Sequence, residues 1–162
     1  MSLPAARGST AWHLAFRVLY AGLGVIDPLV RAWWRRVPMG NVVDLHVAGR
    51  RSARTRPVLL GLLPDGGRWF LGHPNGEVAW TRNLAAAGEA TIVLRPGDAR
   101  RVRAVRLAPG ELRDRAIRAT TQHVFPGNLI YRLAWGHIRA VGAFFELEAA
   151  EGPPGDHLGC GG

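Results

Sequence analysis

The clearest candidate for chemistry is an arginine-rich loop, Gly49 to Arg56 (GRRSARTR), which contains four arginines and two hydroxyl side chains. It lies between two strand-like segments, residues 42–47 and 57–63. A tight turn requires no guanidinium, and neighbouring guanidiniums repel one another unless an anion lies among them. Each guanidinium can pair with two oxygens of a phosphate or a carboxylate. The loop therefore predicts a site for an anionic ligand, and the alternative is a solvated basic hairpin turn.

A second candidate is the loop of residues 73–76 (His-Pro-Asn-Gly), which follows a strand-like segment and leads into a helix that contains Trp80 and Asn83. Backbone N–H groups at a helix start favour anions and carbonyl oxygens. Pro, Asn and Gly allow the main chain to approach a flat ligand closely. His73 is a candidate proton donor. The structural alternative is that Trp80 anchors its helix in the core and that His73 is a packing residue.

A third candidate is a set of three side chains, Phe125, Asn128 and Tyr131, whose spacing of three places them on one face of a helix. Together with Trp135 they could wall an apolar pocket. The alternative is an ordinary core stripe.

The overall charge also points to anionic partners. The chain has 162 residues, the size of one domain, a net charge of +9, and 21 basic residues that are all Arg. Such a charge favours a phosphorylated cofactor, a nucleic acid or a membrane surface. Nucleic acid is disfavoured, because the aromatic residues lie in core-like stripes rather than among the loop arginines. The single cysteine, Cys160, can form no internal disulfide and fits a reducing, cytoplasmic location.

Motifs for other chemistry are missing from the sequence. It has no G-x-S-x-G, no H-E-x-x-H, no P-loop and no G-x-G-x-x-G, and its carboxylates are scattered. We therefore expect no metal site and no paired-acid hydrolysis. An anion loop in a chain without its own catalytic group is typical of a protein whose cofactor carries the chemistry.

The N-terminal region predicts helices that cover the main domain. Residues 10–23 form the first predicted helix and residues 27–36 the second, which begins at an Asp-Pro pair. The apolar face of the first helix is expected to contain Trp12, Phe16, Leu19 and Leu23. Charged residues interrupt the apolar stretch 11–34, so no membrane-spanning helix is expected. We expect residues 1–40 to pack on the domain, with contact to an anionic membrane surface as the alternative. Residues 150–162 predict a disordered tail.

Residues 41–149 have the pattern of a β-rich domain. Apolar alternation predicts six strands, at residues 42–47, 57–63, 68–72, 90–95, 101–107 and 143–147. Short helices are predicted at residues 77–87, 111–123 and 128–135. Hairpin turns join most of the strands. The pattern predicts an α+β fold, a small antiparallel barrel with helices at its periphery.

The order of these segments resembles the deazaflavin-dependent nitroreductase family. That family has a strand, then G-[RK]-[RK]-[ST]-G-x-x-R, then a loop that ends in W-Y-x-N-L; this chain has GRRSARTR and WTRNL. The segment FPGNLIY is similar to the family's Y-P-x-Y-x-x-Y, and the resemblance continues through AFFELE. It covers residues 42–148. The resemblance implies a split antiparallel β-barrel of the flavin-reductase and pyridoxamine-phosphate-oxidase type.

The resemblance also implies a cofactor site. The side chains that would hold the phosphate and acidic tail of the 8-hydroxy-5-deazaflavin coenzyme, F-420, are Arg51, Ser52, Arg54 and Arg56. The residues that would line its ring are His73, Pro74, Asn75, Gly76, Trp80 and Asn83. The substrate wall would consist of Phe125, Asn128, Tyr131 and Trp135. The candidates for the catalytic proton source are Tyr131 and water.

Several positions depart from the family pattern. Ala53 replaces a glycine, which predicts a different backbone angle in the turn. Thr81 stands where the family often has Tyr, and the loop before Trp80 is shorter than usual. Phe125 and Asn128 replace two tyrosines of the substrate wall, a change that concerns the substrate more than the cofactor.

These observations predict an oxidoreductase in which reduced deazaflavin donates hydride to a quinone, an enone or a nitro compound. One alternative is a reductase of the same barrel that holds FMN, whose phosphate also suits the loop. Another is a non-catalytic protein that binds a cofactor or a lipid. Split barrels commonly pair, so the resemblance implies a homodimer. We expect a cytoplasmic location, with membrane association through the N-terminal helices as the alternative.

Overall fold

The computed structural model describes residues 8–37, 40–123 and 126–150, and its central element is a seven-stranded antiparallel sheet. The strands are β1 (Val42–Ala48), β2 (Thr55–Gly61), β3 (Leu63–Asp65), β4 (Arg68–His73), β5 (Glu89–Arg95), β6 (Asp98–Arg106) and β7 (Ala143–Ala149). The helices are α1 (Thr10–Arg36), α2 (Ala79–Ala87), α3 (Glu111–Ala119), α4 (Gly127–Leu133) and α5 (Trp135–Val141), and a 3-10 turn, Thr120–Gln122, follows α3. The strand order is β2-β1-β5-β6-β7-β4-β3.

The sheet closes on itself because consecutive strands occupy its two edges. β2 and β3 lie at opposite edges, although Leu62 alone separates them in the chain. The edges must therefore meet at this residue, whose backbone N–H donates a 2.5 Å hydrogen bond to the carbonyl of Asn41. Such curling turns an open sheet into a barrel. The interior is filled by inward-facing side chains, among them Val43, Leu45, Val47, Leu71, Ile92 and Phe145.

All six predicted strands are present, and the predicted alternation of β1 is confirmed. Val43, Leu45 and Val47 are fully buried, as a period of two requires. The predicted second strand, residues 57–63, is in fact two strands, because the chain passes from one sheet edge to the other at Leu62. The α+β barrel with peripheral helices is thus confirmed, with seven strands instead of about six.

The two predicted N-terminal helices are one helix, α1, with a sharp bend. Its segments Thr10–Val25 and Asp27–Arg36 meet at 61°, and Pro28 lies inside it. Proline has no N–H to donate to the preceding turn, and its ring crowds that turn, which bends the helix. Within the described residues no single helix is long and apolar enough to cross a membrane. The two arms of α1 together meet the criteria, by length and composition only.

Helix α1 packs against the outside of the barrel. Phe16 and Trp34 are buried, and the indole N–H of Trp34 donates to the carbonyl of Val42 over 3.1 Å. Phe16 belongs to a second core, which α3, α5 and the outer face of the sheet complete. The predicted apolar face is wrong for Leu19 and Leu23, which are 39% and 45% exposed. A helix that is apolar on several sides does not reveal from sequence which side is buried.

A buried ion pair fixes the C-terminal arm of α1 to the sheet. Arg31 Nη1 lies 2.7 Å from Asp44 Oδ1, and Arg31 Nη2 donates to the carbonyl of Pro57 over 3.3 Å. Asp44 is buried, and its second oxygen lies 3.2 Å from His46 Nε2. Loss of either ion-pair partner would leave a buried charge uncompensated, which is strongly destabilising.

The remaining helices differ from the predictions mainly at their ends. The helix predicted at residues 77–87 begins at Ala79, and the helix predicted at residues 111–123 is α3 with its 3-10 turn. The helix predicted at residues 128–135 is α4, and α5, which follows it at once, was not predicted. The tail prediction falls almost entirely on residues 151–162, outside the described residues.

Candidate cofactor site

The arginine loop connects β1 and β2 as a tight hairpin. Ala48 pairs with Thr55 at the end of the ladder. Beyond this pair, the N–H of Gly49 donates to the carbonyl of Arg54 over 2.9 Å, and the N–H of Ala53 donates to the carbonyl of Gly49 over 2.8 Å. Ala53 has a φ of 53°, the one positive φ of a non-glycine among the described residues. Alanine adopts the left-handed conformation that glycine favours, at a cost of about 1–2 kcal/mol.

The side chains of the loop are exposed and concentrate positive charge. The exposed set consists of Arg50, Arg51, Ser52, Arg54, Thr55 and Arg56. Among the described residues, no carboxylate forms an ion pair with any of the four guanidiniums. Arginines elsewhere do have such partners; Arg68, for example, lies 2.7 Å from Glu146. Cations that are left without internal partners on one hairpin attract anions from solution.

The arginine loop is joined to the start of α2, the second predicted segment. The backbone N–H of Arg50 donates to Asn83 Oδ1 over 3.3 Å. Glu77, just before α2, is paired with Arg106 and lies 3.7 Å from Arg82. The hydrogen bond from Arg106 holds the pKa of Glu77 below its usual value, with smaller contributions from Arg82 and Arg50. Asn83 thus orients the backbone of the arginine loop, and the two segments lie side by side.

Two other residues of α2 have structural roles. Thr81, which stands in place of the family's Tyr, is buried. Its hydroxyl accepts a hydrogen bond from the N–H of Val78 and donates to the carbonyl of Val78, both over 2.9 Å, and so satisfies the helix start. The ring of Trp80 is buried 6.2 Å from that of Phe145 in the barrel core and 6.4 Å from that of His73. This is the position that the packing alternative predicts for Trp80.

The loop of residues 73–76 lies beneath α1. Its His, Pro and Gly are buried, and its Asn is half-buried. The side-chain amide of Asn75 donates to the carbonyl of His13 on α1 over 3.2 Å and accepts from His137 Nε2 on α5 over 3.1 Å. The polar side chain of this loop is therefore engaged by two helices of the protein itself.

His73 is a neutral residue at physiological pH. Burial lowers its pKa to about 4. Its Nδ1 accepts the backbone N–H of Asn75 over 3.2 Å, which places the ring proton on Nε2. Its ring lies 4.6 Å from the ring of Tyr20. A neutral imidazole is a much weaker acid than imidazolium, so His73 is not poised to act as a cationic proton donor.

The third predicted segment meets α1 through the two tyrosines of the chain. The hydroxyl oxygens of Tyr20 and Tyr131 lie 3.0 Å apart. Burial raises the pKa of Tyr20 above its usual value and that of Tyr131 well above it. Tyr20 thus connects His73 to Tyr131. Tyr20 is not among the site residues predicted from the sequence, although its spacing of four residues from Phe16 places both on one helix face.

The other residues predicted for the substrate wall differ in their contacts. Asn128 is half-buried, and its Oδ1 accepts the N–H of Leu129 over 2.7 Å. Trp135 is half-buried and packs against the second core. Phe125 lies outside the described residues. The structure therefore brings Tyr131 and Trp135 to the core beneath α1 and holds Asn128 by a local hydrogen bond.

Two of the larger cavities contain none of the predicted site residues. One, of about 500 Å³, is bordered by Arg113 and Arg139, and the other, of about 580 Å³, by Arg103 and Glu148. The buried guanidinium of Arg113 donates to the carbonyls of Arg139 and Gly142 over 2.9 and 2.7 Å. It therefore holds the end of α5, a structural role for the arginine beside the first cavity.

Comparison with protein-family models and with curated proteins finds no match. Solved structures do match. An F420-H2 dependent reductase, FDR-A, has a TM-score of 0.53 and 17% identity, over 67% of this chain and 94% of its own. HutZ, a heme storage protein from Vibrio cholerae, has a TM-score of 0.54 and 14% identity, over 78% of this chain and 92% of its own. A domain-swapped dimer has a TM-score of 0.53 and 15% identity, over 78% of this chain and 99% of its own.

At such identities these likenesses establish the fold. The predicted α+β split antiparallel β-barrel is confirmed, and the resemblance to a deazaflavin-dependent family is consistent with these neighbours. The neighbours differ in what they are described to do, one as a reductase and one in heme storage. The choice of cofactor therefore depends on the side chains of this chain.

Proposed function

We propose that the chain is an oxidoreductase that catalyses hydride transfer from reduced 8-hydroxy-5-deazaflavin, F-420, to an electron-poor acceptor: a quinone, an enone or a nitro compound. The arginine loop carries this proposal. Its four exposed guanidiniums have no carboxylate partner among the described residues, and Arg50 and Asn83 join the loop to α2. The fold shared with an F420-H2 dependent reductase supports the same function.

The loop side chains fit an anionic cofactor. The residues that would hold the phosphate and acidic tail are Arg51, Ser52, Arg54 and Arg56. Guanidinium forks and hydroxyls donate to phosphate and carboxylate oxygens, which are the groups of that tail. The cations are spread along the hairpin, which suits several anionic groups better than one phosphate. This spread favours the deazaflavin coenzyme over FMN, the alternative cofactor.

The residues assigned to the ring are His73, Pro74, Asn75, Gly76, Trp80 and Asn83. Asn83 is half-buried beside the arginine loop. The loop of residues 73–76 is covered by α1, through the ring of Tyr20 and the bond from Asn75 to His13. Access of a ring to this loop therefore requires the N-terminal arm of α1 to move away from His73. A ring bound beneath α1 would be shielded from water and oriented toward the acceptor.

Tyr131 is the proposed proton source for the reduced acceptor. Its hydroxyl is protonated at neutral pH, as in any tyrosine, and burial, which raises its pKa further, makes it a weaker acid. The Tyr20 hydroxyl lies 3.0 Å away and orients it. Asn128, Trp135 and Phe125 are the proposed remainder of the substrate wall. In this arrangement the protein contributes orientation and one proton, while the coenzyme supplies the hydride.

A second candidate function is non-catalytic binding by the same fold. It is favoured by the covered loop of residues 73–76, which leaves the ring residues engaged with α1 and α5. The description of HutZ as a heme storage protein fits a binding role for this fold. For either function we propose a homodimer, which the domain-swapped dimer of similar fold supports, and a cytoplasmic location.

The test is an equilibrium titration of the purified protein with the deazaflavin coenzyme and with FMN side by side. We expect the deazaflavin to bind more tightly. FMN that bound about tenfold tighter, a difference of about 1.4 kcal/mol, would reject the choice of cofactor. Oxidation of the reduced coenzyme by a quinone, followed by absorbance, then distinguishes the enzyme from the binding protein.

A further inference from the structure

The outward side of α1 is an unpartnered apolar surface. Ten large apolar side chains of the described residues are exposed, and all of them lie on α1, at the residue after it or on α4. Those on α1 and next to it are Leu14, Val18, Leu19, Leu23, Val25, Leu29, Trp33 and Val37, which we call the α1 outer face. Those on α4 are Leu129 and Leu133. Such a concentration of exposed apolar side chains on one helix is typical of an interaction site.

Helix α1 packs on the barrel in an orientation that turns this face outward. Among the remaining side chains of α1, Phe16 and Trp34 are buried, one on each arm of the bend. Arg31 binds Asp44 in the sheet, and Tyr20 binds Tyr131 on α4. The inner side of α1 is therefore occupied by contacts with the sheet and with α4. The apolar side chains on its outer side need a second apolar environment.

The exposed charged residues around the α1 outer face are all arginines. The exposed charged residues of α1 are Arg17, Arg35 and Arg36. Its one acidic residue, Asp27, lies 3.5 Å from Arg31, which also pairs with Asp44 in the sheet. The face thus combines aliphatic side chains with cations at its rim. The C-terminal end adds a tryptophan next to two arginines, the combination found in helices at a membrane interface.

We propose that the α1 outer face docks the domain onto the surface of an anionic lipid bilayer. A bilayer offers both environments that the face requires, an apolar layer for Leu14, Val18 and Leu29 and anionic headgroups for the rim arginines. A second copy of the chain would bring three exposed arginines of each α1 together, with Asp27 as the one carboxylate of each helix. Phe16 and Trp34 are buried in the domain, one on each arm, so α1 lies along the barrel while its outer face contacts the membrane.

The test is flotation of the full chain with phosphatidylcholine vesicles, with and without phosphatidylglycerol. We expect the protein to float with the anionic vesicles and to partition at least about tenfold less onto the neutral ones. Leu14, Val18 and Leu29 are 61%, 64% and 74% exposed, so their triple change to Gln should leave the thermal melt unchanged. We expect this variant to lose binding to both kinds of vesicle.

Two charge variants separate docking by α1 from a general attraction of a basic protein. The triple change of Arg17, Arg35 and Arg36 to Gln should abolish the preference for anionic vesicles. The control changes Arg95, Arg101 and Arg103 on β5 and β6 to Gln, which removes the same net charge from exposed arginines that pair with carboxylates. This variant should retain the preference. Equal loss in both charge variants, or a protein that stays unbound with either vesicle, would overturn the proposal. So would a dimer in sedimentation velocity that the Leu14, Val18 and Leu29 variant splits into monomers without change in flotation.

Discussion

The hydroxyl oxygens of Tyr20 and Tyr131 lie 3.0 Å apart, and this contact joins α1 to the segment assigned to the substrate wall. Tyr20 also places its ring 4.6 Å from that of His73. The N-terminal helix therefore belongs to the candidate site and is not merely a cover for the barrel. Each hydroxyl is the hydrogen-bond partner of the other, so the two positions can be tested against each other.

The first prediction concerns the role of Tyr131. Tyr131→Phe should lower kcat and kcat/KM together and leave the affinity for the cofactor nearly intact, because a proton donor acts in the transition state. The lost hydroxyl also leaves Tyr20 without its partner, which should reduce the free energy of unfolding by about 1–2 kcal/mol. Steady-state kinetics with reduced deazaflavin and a quinone, beside a urea titration, measure both effects.

Tyr20→Phe is the matched control, since it removes the same hydrogen bond from the other side. It should cost the same stability and have a much smaller effect on turnover. If Tyr131→Phe turns over at the wild-type rate, Tyr131 has no part in proton transfer. If both variants slow turnover equally, the hydrogen bond matters rather than the donor.

Local sequence patterns were sufficient to predict the strands but not to predict the position of the helix that covers them. The alternation of Val43, Leu45 and Val47 predicts the inner face of β1, and these residues are buried in the barrel. Asp44 points to the other face, which the pattern assigns to solvent, yet it is buried because Arg31 of α1 lies over it. A pattern with a period of two carries no information about a helix that packs from a distant part of the chain.

In the candidate site, too, local patterns do not predict long-range packing. The sequence predicts the arginine loop and the start of α2 as separate ligand segments, and the hydrogen bond from Arg50 to Asn83 brings them together. The sequence does not predict that α1 covers the loop of residues 73–76. The position of α1 depends on long-range contacts, the Asn75 amide and the ring of Tyr20, which have no local signature.

The second prediction is a loss of stability in mild acid through His73. Its pKa is about 4 in the folded protein, below the ordinary value of 6.5, because burial disfavours the cation. The unfolded chain binds this proton more readily, so the stabilisation is complete above pH 6.5 and is lost as the pH falls toward 4. The loss from this group should be about 3 kcal/mol.

Urea unfolding of the wild type and of His73→Gln across this pH range tests the assignment. The pH dependence should be shallower in the variant. A residual slope is expected, because burial also lowers the pKa values of His123 and His137. Identical slopes in the two proteins would show that His73 does not carry the effect.

The third prediction concerns the strained turn of the arginine loop. Ala53 has a φ of 53°, which costs alanine about 1–2 kcal/mol, while glycine adds about 0.5–1 kcal/mol of unfolded-chain entropy. Ala53→Gly should therefore raise stability by about 0.5–1 kcal/mol and leave cofactor affinity unchanged. Ala99→Gly, at an exposed strand position of β6, should lower stability instead. A loss of stability in both variants would contradict the strain at Ala53.

The last prediction tests the arginine loop itself. Arg54→Ala and Arg56→Ala should each weaken binding of the deazaflavin coenzyme by about 1.5–3 kcal/mol, the usual worth of hydrogen bonds to a charged group. Both side chains are exposed and lack carboxylate partners among the described residues, so the thermal melt should change little.

Arg118→Ala removes an exposed arginine from α3 and corrects for the loss of one positive charge. Its affinity should stay within about twofold of the wild type, because distant exposed charges are screened at physiological salt. If all three variants bind as the wild type does, the loop is a solvated basic turn and the anion site lies elsewhere. If all three weaken binding equally, the net charge of the chain attracts the coenzyme and the loop does not recognise it.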